Sequence, residues 1–544
     1  MSGTGPRVLL IFPRFNANSF WSFADACEVW GARCTAPPLG LLTLAALLPD
    51  HWNLRLVDRN AQELVDDDLA WADLVLTGGM LPQQADTLAL IGMCRARGTP
   101  VCVGGPSVTS SPHVYEHADF LFLGEAEGTI DRFVEAWEAG ARQGRFEAPK
   151  FQADVTKSPI PRYDLINFKN YLYVGVQFSR GCPFTCEFCD IIELYGRSPR
   201  TKTKDQMLAE LDRLLELGYR GHVDFVDDNL IGNKKAIKLF LPELIAWQER
   251  NGYPFMFSTE ASINLADDPD LLRMMRAANF FIVFVGIESP DEATLVSTSK
   301  KQNTRRSLED SVNRIYAAGI FVTAGFIVGF DTERRGVSDA MVDCIAATNI
   351  PVSMVGLLTA LPNTQLTRRL AREGRLHEEN DHLSADIGDQ CTAGLNFATL
   401  RPRRDVLSDY RDVLDRIYDP PAFFKRVRNL AGLLKRPVIG VGQASDPGLG
   451  RTLRLLWRVC WRMTVKRPEL ARHFWPALVY CARRNPAALQ VLLMNMVLFL
   501  HLRPFSRYVI RELDRRIADI DAGRWIEPAL AGEAKRAEPA LAVA

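Results

Sequence analysis

The chain has 544 residues, 47% hydrophobic and 24% charged, and its 65 Lys and Arg balance 65 Asp and Glu. At roughly 150 residues per domain, that length predicts three or four units, each with its own core. Zero net charge removes the basic excess that a nucleic-acid partner demands, so no nucleic acid is expected. Eleven Cys are too sparse for a disulfide scaffold. The apolar run Val8–Phe12 stops at Pro13 and is too short for a secretory signal. An unprocessed cytoplasmic protein with reduced thiols is expected. Collagenous, extracellular and multi-span membrane classes are excluded.

Taken in order, Val8–Phe12 reads as a strand and Pro38–Leu48 as an apolar helix. Leu54–Val57, Leu74–Leu76, Val101–Val103 and Phe120–Leu123 are further strands, with helical spacing over Gln83–Arg97 and Thr129–Ala139. Continuous apolar strands between helices mean a parallel sheet covered on both faces, here an α/β doubly wound domain over residues 1–145. Ligands of such sheets sit beyond the strand carboxyl ends. Those ends carry Thr77-Gly78-Gly79, Gly104-Gly105-Pro106 and Gly124-Glu125, where glycines let backbone approach a large flat ligand. Any one pair suits an ordinary tight turn, whereas three in one domain favour a ligand. A polar connection is expected over about 141–168.

A second series follows over 169–375, with strands at Val174–Ser179, Val223–Val226, Phe255–Ser258, Ile282–Val285, Val322–Ile327 and Ser353–Leu358. Helical patterns alternate with them, so a partial or full parallel (βα) barrel is expected, with its chemistry at the strand C-termini. From about Arg401 the pattern turns α-helical, giving a third domain over 401–530. Arg451, Arg454, Arg458 and Arg462 make one basic helix face. Ala487–Leu502 runs 16 residues without a formal charge. As a helix it spans about 24 Å, short of the roughly 30 Å hydrocarbon core. A buried cap is therefore the favoured reading of this region, with a membrane-surface element its alternative. Residues 531–544 are expected to be a disordered tail.

The most informative stretch is Ser179-Arg180-Gly181-Cys182-Pro183-Phe184-Thr185-Cys186-Glu187-Phe188-Cys189-Asp190. Three Cys this close can wrap one metal centre. Structural zinc wants four ligands, and no fourth Cys or His stands nearby. Thiolates suit iron–sulfur clusters, and three of them leave one iron of a [4Fe–4S] cluster open, as in a catalytic site. No His/carboxylate dyad or Ser/His/Asp arrangement offers a simpler polar enzyme.

This Cys-x3-Cys-x-aromatic-Cys pattern resembles the signature of the radical SAM superfamily. The resemblance implies a cluster on Cys182, Cys186 and Cys189, with S-adenosylmethionine chelating the open iron, Phe188 near adenine, and a 5′-deoxyadenosyl radical as product of electron injection. An external donor such as flavodoxin or ferredoxin would supply that electron. Asp227-Asp228-Asn229 after the second strand, Glu260 after the third, Glu288-Ser289 after the fourth, the Gly325–Glu333 stretch and Leu361–Leu366 fall where that superfamily has cofactor-binding elements.

The first domain is similar to cobalamin-binding domains. Thr35-Ala36-Pro37-Pro38-Leu39-Gly40 stands at their Asp-x-His-x-x-Gly, Thr77-Gly78-Gly79 at their Ser-x-Leu and Gly104-Gly105 at their Gly-Gly. Pro37 takes the place of the ligating His and has no lone pair to offer, so cobalt without a protein His ligand is implied. The whole layout resembles the cobalamin-binding radical SAM group with a helical C-terminal extension, to which hopanoid C-2 methylases belong. That implies a C-methyltransferase acting on an unactivated carbon of a small-molecule or lipid-like substrate, with peripheral membrane contact as a corollary. A radical SAM cyclase or oxidoreductase holding cobalamin without methyl transfer, and a non-catalytic cobalamin or redox sensor, are the alternatives.

Overall fold

The computed structural model describes residues 5–378, 391–435 and 456–531, apart from Ala17 and Ala393. Its first sheet comprises β1 (Arg7–Phe12), β2 (Asn53–Asp58), β3 (Leu74–Gly78), β4 (Val101–Gly104), β5 (Phe120–Leu123) and β6 (Gly144–Glu147). These strands lie side by side in the order β2-β1-β3-β4-β5-β6, every pair parallel. Apolar residues cover both faces: Leu9, Val75 and Val103 belong to one cluster, and Val8, Leu76 and Phe120 to the other. The order reverses between β1 and β3, which opens a crevice at their carboxyl ends. The strand β6 was not expected. It lies inside the supposed polar connection and buries only Phe146, so its sequence is too polar to announce a strand.

The second sheet comprises β7 (Val174–Val176), β10 (Gly221–Phe225), β11 (Phe255–Glu260), β12 (Phe280–Glu288), β13 (Phe321–Val328) and β14 (Ser353–Leu357). All neighbours are parallel, in the order β14-β13-β12-β11-β10-β7. The array is open between β7 and β14, hence a partial rather than a full barrel. The expected strand Val174–Ser179 is broken. Gln177 and Phe178 leave the sheet, and β8 (Ser179–Arg180) pairs antiparallel with β9 (Arg200–Thr201).

The C-terminal region is helical as expected, with helices Arg403–Ile417, Pro420–Leu433, Pro468–Arg484 and Leu489–Asp521. Two expectations are corrected here. The charge-free segment is only the first half of a helix of 33 residues, which continues through Pro504. At about 1.5 Å per residue it is long enough to cross a bilayer, so the argument from shortness falls. It is nevertheless a core helix, because Leu492, Met496, Phe499, Leu502 and Val509 are buried against the barrel and its neighbouring helices. The basic face is only partly described, since Arg451 and Arg454 lie outside the described residues. Of the rest, Arg458 donates to the Val29 carbonyl and Arg462 pairs with Glu28, so both turn inward onto the Ala24–Trp30 helix. The expected tail lies outside the described residues except for Ala531, whose N–H bonds the Leu376 carbonyl.

Candidate active site

The Cys loop hangs between β8 and the short helix Ile191–Leu194, and the residues after β10 hold it. Asp227, buried, accepts hydrogen bonds from the Phe178 N–H at 3.0 Å and from the N–H and hydroxyl of Ser179, each at 2.5 Å. Asp228 accepts from the Gly181 N–H at 3.1 Å. Gly181 has φ +97°, and a Cβ there would come within 2.9 Å of the Gly196 carbonyl, so only glycine fits. Burial raises Asp227 to about 7 against the pull of its donors, and raises Asp228 to about 6. On the far side, Glu187 is clamped by Arg369 at 2.6 Å. Asp227 thus spends both oxygens on shaping the loop, and Asp228 one of them.

Amide groups are aimed at two of the three sulfurs. Asn229 Nδ2 lies 3.9 Å from Cys182 Sγ, and Gln302 Nε2 lies 3.6 Å from Cys186 Sγ. Burial pushes the Cys182 and Cys189 thiols up. The Lys300 ammonium, 2.7 Å from Glu288, adds a positive charge facing Cys186 and Cys189. Burial alone would lower Lys300, but Glu288 beside it holds it above its ordinary value. Sulfur ligands with N–H donors and a nearby cation suit an anionic iron–sulfur cluster. Among the described residues no group of three His, Cys, Asp or Glu converges closely enough for one metal ion. A cubane spreads its thiolates over separate irons, so this spacing suits it better than a mononuclear site. Phe188 packs on Phe330 with ring centroids 5.8 Å apart. Ser289 is fully buried and accepts the Asp291 N–H, a turn role rather than an open ligand position.

A cavity of about 3460 Å³ lies between the two sheets. Its wall includes Gly40, Thr77, Gly78, Gly79, Gly104, Gly105, Gly124 and Glu125 from the first domain, and Asp227, Asp228 and Glu260 from the barrel. Phe188, Asn229, Glu288 and Ser289 are not among the residues lining it. The glycines divide into two kinds. A Cβ at Gly78 would sit 2.2 Å from the Gly104 carbonyl, and Gly105 and Gly124 have φ +95° and +86°, so strand packing at the first and backbone conformation at the other two already require glycine. Gly40 is different. Nothing lies within 4 Å of the Cβ it lacks, and it opens onto the cavity. Thr77 spends its hydroxyl on the Ile11 carbonyl at 2.7 Å. Glu125 is committed to Arg180 at 3.0 Å and Arg200 at 2.9 Å, tying the first sheet to the Cys loop rather than waiting for a ligand. The one histidine on the cavity wall among the described residues, His222, belongs to the barrel.

Inside the barrel lies an arrangement that the sequence reading denied. His222 Nε2 is 2.6 Å from Ser258 Oγ, and that hydroxyl donates to Asp224. Because the hydroxyl proton goes to Asp224, His222 Nε2–H must be the donor to Oγ. Above this column Glu260 opens into the cavity while enclosed by protein. Burial, then the carboxylates of Asp224, Asp228 and Glu288, push it up to about 8. Burial lowers His222 to about 3. The unfolded chain therefore binds a proton near pH 6.5 that the folded chain refuses, so this site costs stability as pH falls from about 6.5 toward 3. His222→Gln should flatten that acid limb, read as a smaller loss of urea midpoint between about pH 7 and about pH 5 than in the parent. An equal loss in both proteins would show that His222 does not titrate in this way.

The radical SAM superfamily pattern matches residues 176–339, and a domain of unknown function, DUF4070, matches 364–515. An uncharacterized methyltransferase of Synechocystis is 43% identical over 519 residues, 94% of each chain. Hopanoid C-2 methylase of Rhodopseudomonas palustris is 35% identical over 517 residues, covering 93% of this chain and 95% of the relative. In three dimensions the fold matches the cobalamin-dependent S-adenosylmethionine radical enzyme OxsB, solved with aqua-cobalamin, at a TM-score of 0.58 and 14% identity, over 96% of this chain and 82% of that one. With this identity along nearly its whole length, the chain belongs to the cobalamin-binding radical SAM methyltransferases, the family that includes hopanoid C-2 methylase.

Proposed function

We propose that this enzyme methylates an unactivated carbon of a large, mostly apolar, lipid-like substrate. The observation carrying the reading is the single cavity that joins the strand ends of the first sheet to the mouth of the barrel. At about 3460 Å³ it far exceeds the roughly 300–1,000 Å³ of a drug-sized site, leaving room for a corrin, S-adenosylmethionine and a substantial substrate. Much of the remaining wall is apolar, with Trp21, Phe284 and Met354, and then Leu489 and Leu493 from the long C-terminal helix. A relative named for hopanoids supports the same substrate class.

When bound, the cluster with S-adenosylmethionine supplies hydrogen-atom abstraction and cobalamin supplies the methyl group. Cys182, Cys186 and Cys189 would hold the cluster, and Gly40, Gly79 and Gly104 would face the corrin. The protein's own part is positional. Asp227 and Asp228 fix the backbone from Phe178 to Gly181, Lys300 offsets negative charge beside Cys186 and Cys189, and the aromatic wall keeps water from the substrate carbon. Glu260, held above the ordinary carboxylate range, and the hydrogen-bonded His222–Ser258–Asp224 column offer polar contacts at one side of the cavity.

Anaerobic turnover with reduced flavodoxin and lipid extract from a deletion strain tests this reading. Both 5′-deoxyadenosine and S-adenosylhomocysteine are expected, together with one lipid gaining the mass of a methyl group. Deoxyadenosine alone would assign a cyclase or oxidoreductase, and neither product would assign a sensor.

A further inference from the structure

The outer side of the C-terminal region exposes large apolar side chains that nothing among the described residues covers. Trp457, Trp461 and Val465, at successive spacings of four, are 61%, 41% and 55% exposed. The two indole rings stack with centroids 5.6 Å apart, 20° from parallel. On the next helix, Pro468–Arg484, Trp475, Val479 and Tyr480 are also exposed, while Leu470, Phe474, Ala477 and Cys481 face the core. A water-soluble surface seldom leaves so much aromatic area open unless something seats on it.

Charge identifies the occupant. Residues 456–485 carry seven Lys or Arg against one acid, Glu469. Arg458 and Arg462 turn inward, as described, but no ion pair among the described residues engages Lys466, Arg467, Arg483 or Arg484. A second copy of this face would bring like charges together. The segment 436–455 carries Arg436, Arg451 and Arg454 against Asp446, again the wrong sign to cover it. Indole rings interleaved with cations suit the headgroup layer of an anionic bilayer, where Trp is amphipathic and each Lys or Arg gains from negative lipid. The same stretch reaches the active-site cavity, because Leu456 and Val459 line it together with Leu489 and Leu493.

We infer that the face bearing Trp457, Trp461, Val465, Trp475 and Val479 docks the enzyme on an anionic lipid surface and sets the cavity mouth against the membrane. Its purpose rests on the lipid-like substrate proposed above, but its test does not. The full chain, cluster-loaded and anaerobic, is floated with phosphatidylcholine vesicles with and without phosphatidylglycerol. Flotation is expected with phosphatidylglycerol at low salt, weakened by high salt and by its omission. Trp457→Ser/Trp461→Ser and Lys466→Gln/Arg467→Gln should each bind at least about tenfold less tightly. Leu239→Ser, which removes an exposed leucine on a barrel helix, should float like the parent. A parent chain that stays at the bottom of the gradient overturns the proposal, as does a Trp457→Ser/Trp461→Ser protein that floats equally well. A dimer in sedimentation that this double substitution disperses, without vesicle binding, would assign the face to a second copy. Vesicle binding without a methylated lipid would sink the substrate reading and leave the surface standing.

Discussion

Replacing Cys182, Cys186 and Cys189 together with Ala should take bound iron from about four atoms per chain to background after anaerobic reconstitution. Each thiolate is an anionic, soft ligand for which neither Ala nor a neutral hydroxyl substitutes. The surroundings of the loop should survive. Asp227 and Asp228 act on backbone from Phe178 to Gly181, and Arg369 on Glu187, so none of those bonds uses a thiol. The triple variant should therefore keep the parent's circular dichroism and cobalamin content while losing the visible cluster absorption and all deoxyadenosine. Retention of a four-iron cluster in that protein would falsify the assignment.

Gly40→Leu should weaken cobalamin binding by roughly 5- to 150-fold in a protein that folds as well as the parent. The Cβ at this position meets no protein atom within 4 Å, so the larger side chain occupies only space on the cavity side. Gly40 is the second residue of the helix Leu39–Leu47 and does not have a left-handed φ, so a side chain there does not strain the backbone. An overpacked ligand site loses on the order of 1–3 kcal/mol, which is a roughly 5- to 150-fold weaker corrin affinity. Gly105→Val cannot serve the same purpose, although its position in the sequence invites it. At φ +95°, with its Cβ 3.3 Å from Gly79 N, that substitution strains the turn before any ligand is involved. Cobalamin retained by Gly40→Leu as tightly as by the parent, measured after gel filtration, would move the corrin elsewhere in the cavity.

Much of this architecture was legible because it repeats. Apolar strand followed by helix, eleven times over two sheets, leaves a period that composition cannot hide, and the Cys spacing is local and unmistakable. What stayed hidden was set by pairing between distant residues. His222 and Ser258 stand 36 positions apart, and only the parallel register that puts Asp224 opposite Ser258 assembles their column. One signal was present: His222-Val223-Asp224-Phe225 alternates polar and apolar, where a strand buried on both faces would be apolar throughout. The alternation marks a polar lumen. Similarly, the end of the charge-free run at Leu502 hid the rest of the long helix. That helix continues as an amphipathic element whose Asp514 and Asp521 reach Arg411 and Arg404. Absence of charge reports burial on all sides, while the helix itself persists wherever one side stays apolar.

The long C-terminal helix also joins the two ends of the chain. Its His501 ring lies 3.2 Å from the Phe20 carbonyl, and Phe505 packs against Phe20 at 6.0 Å. Arg426 and Tyr410, from the preceding helices, bond the Ile350 and Val355 carbonyls of the barrel. One continuous apolar core thus runs from Phe20 through the barrel to Leu513. The region matched as a domain of unknown function is therefore no detachable module. A chimaera that borrowed residues 403–521 from a relative would leave Phe20 and Val29 facing a foreign surface. Exchange of substrate preference between relatives has to carry the segment around Phe20–Trp30 along with the helices that close over it.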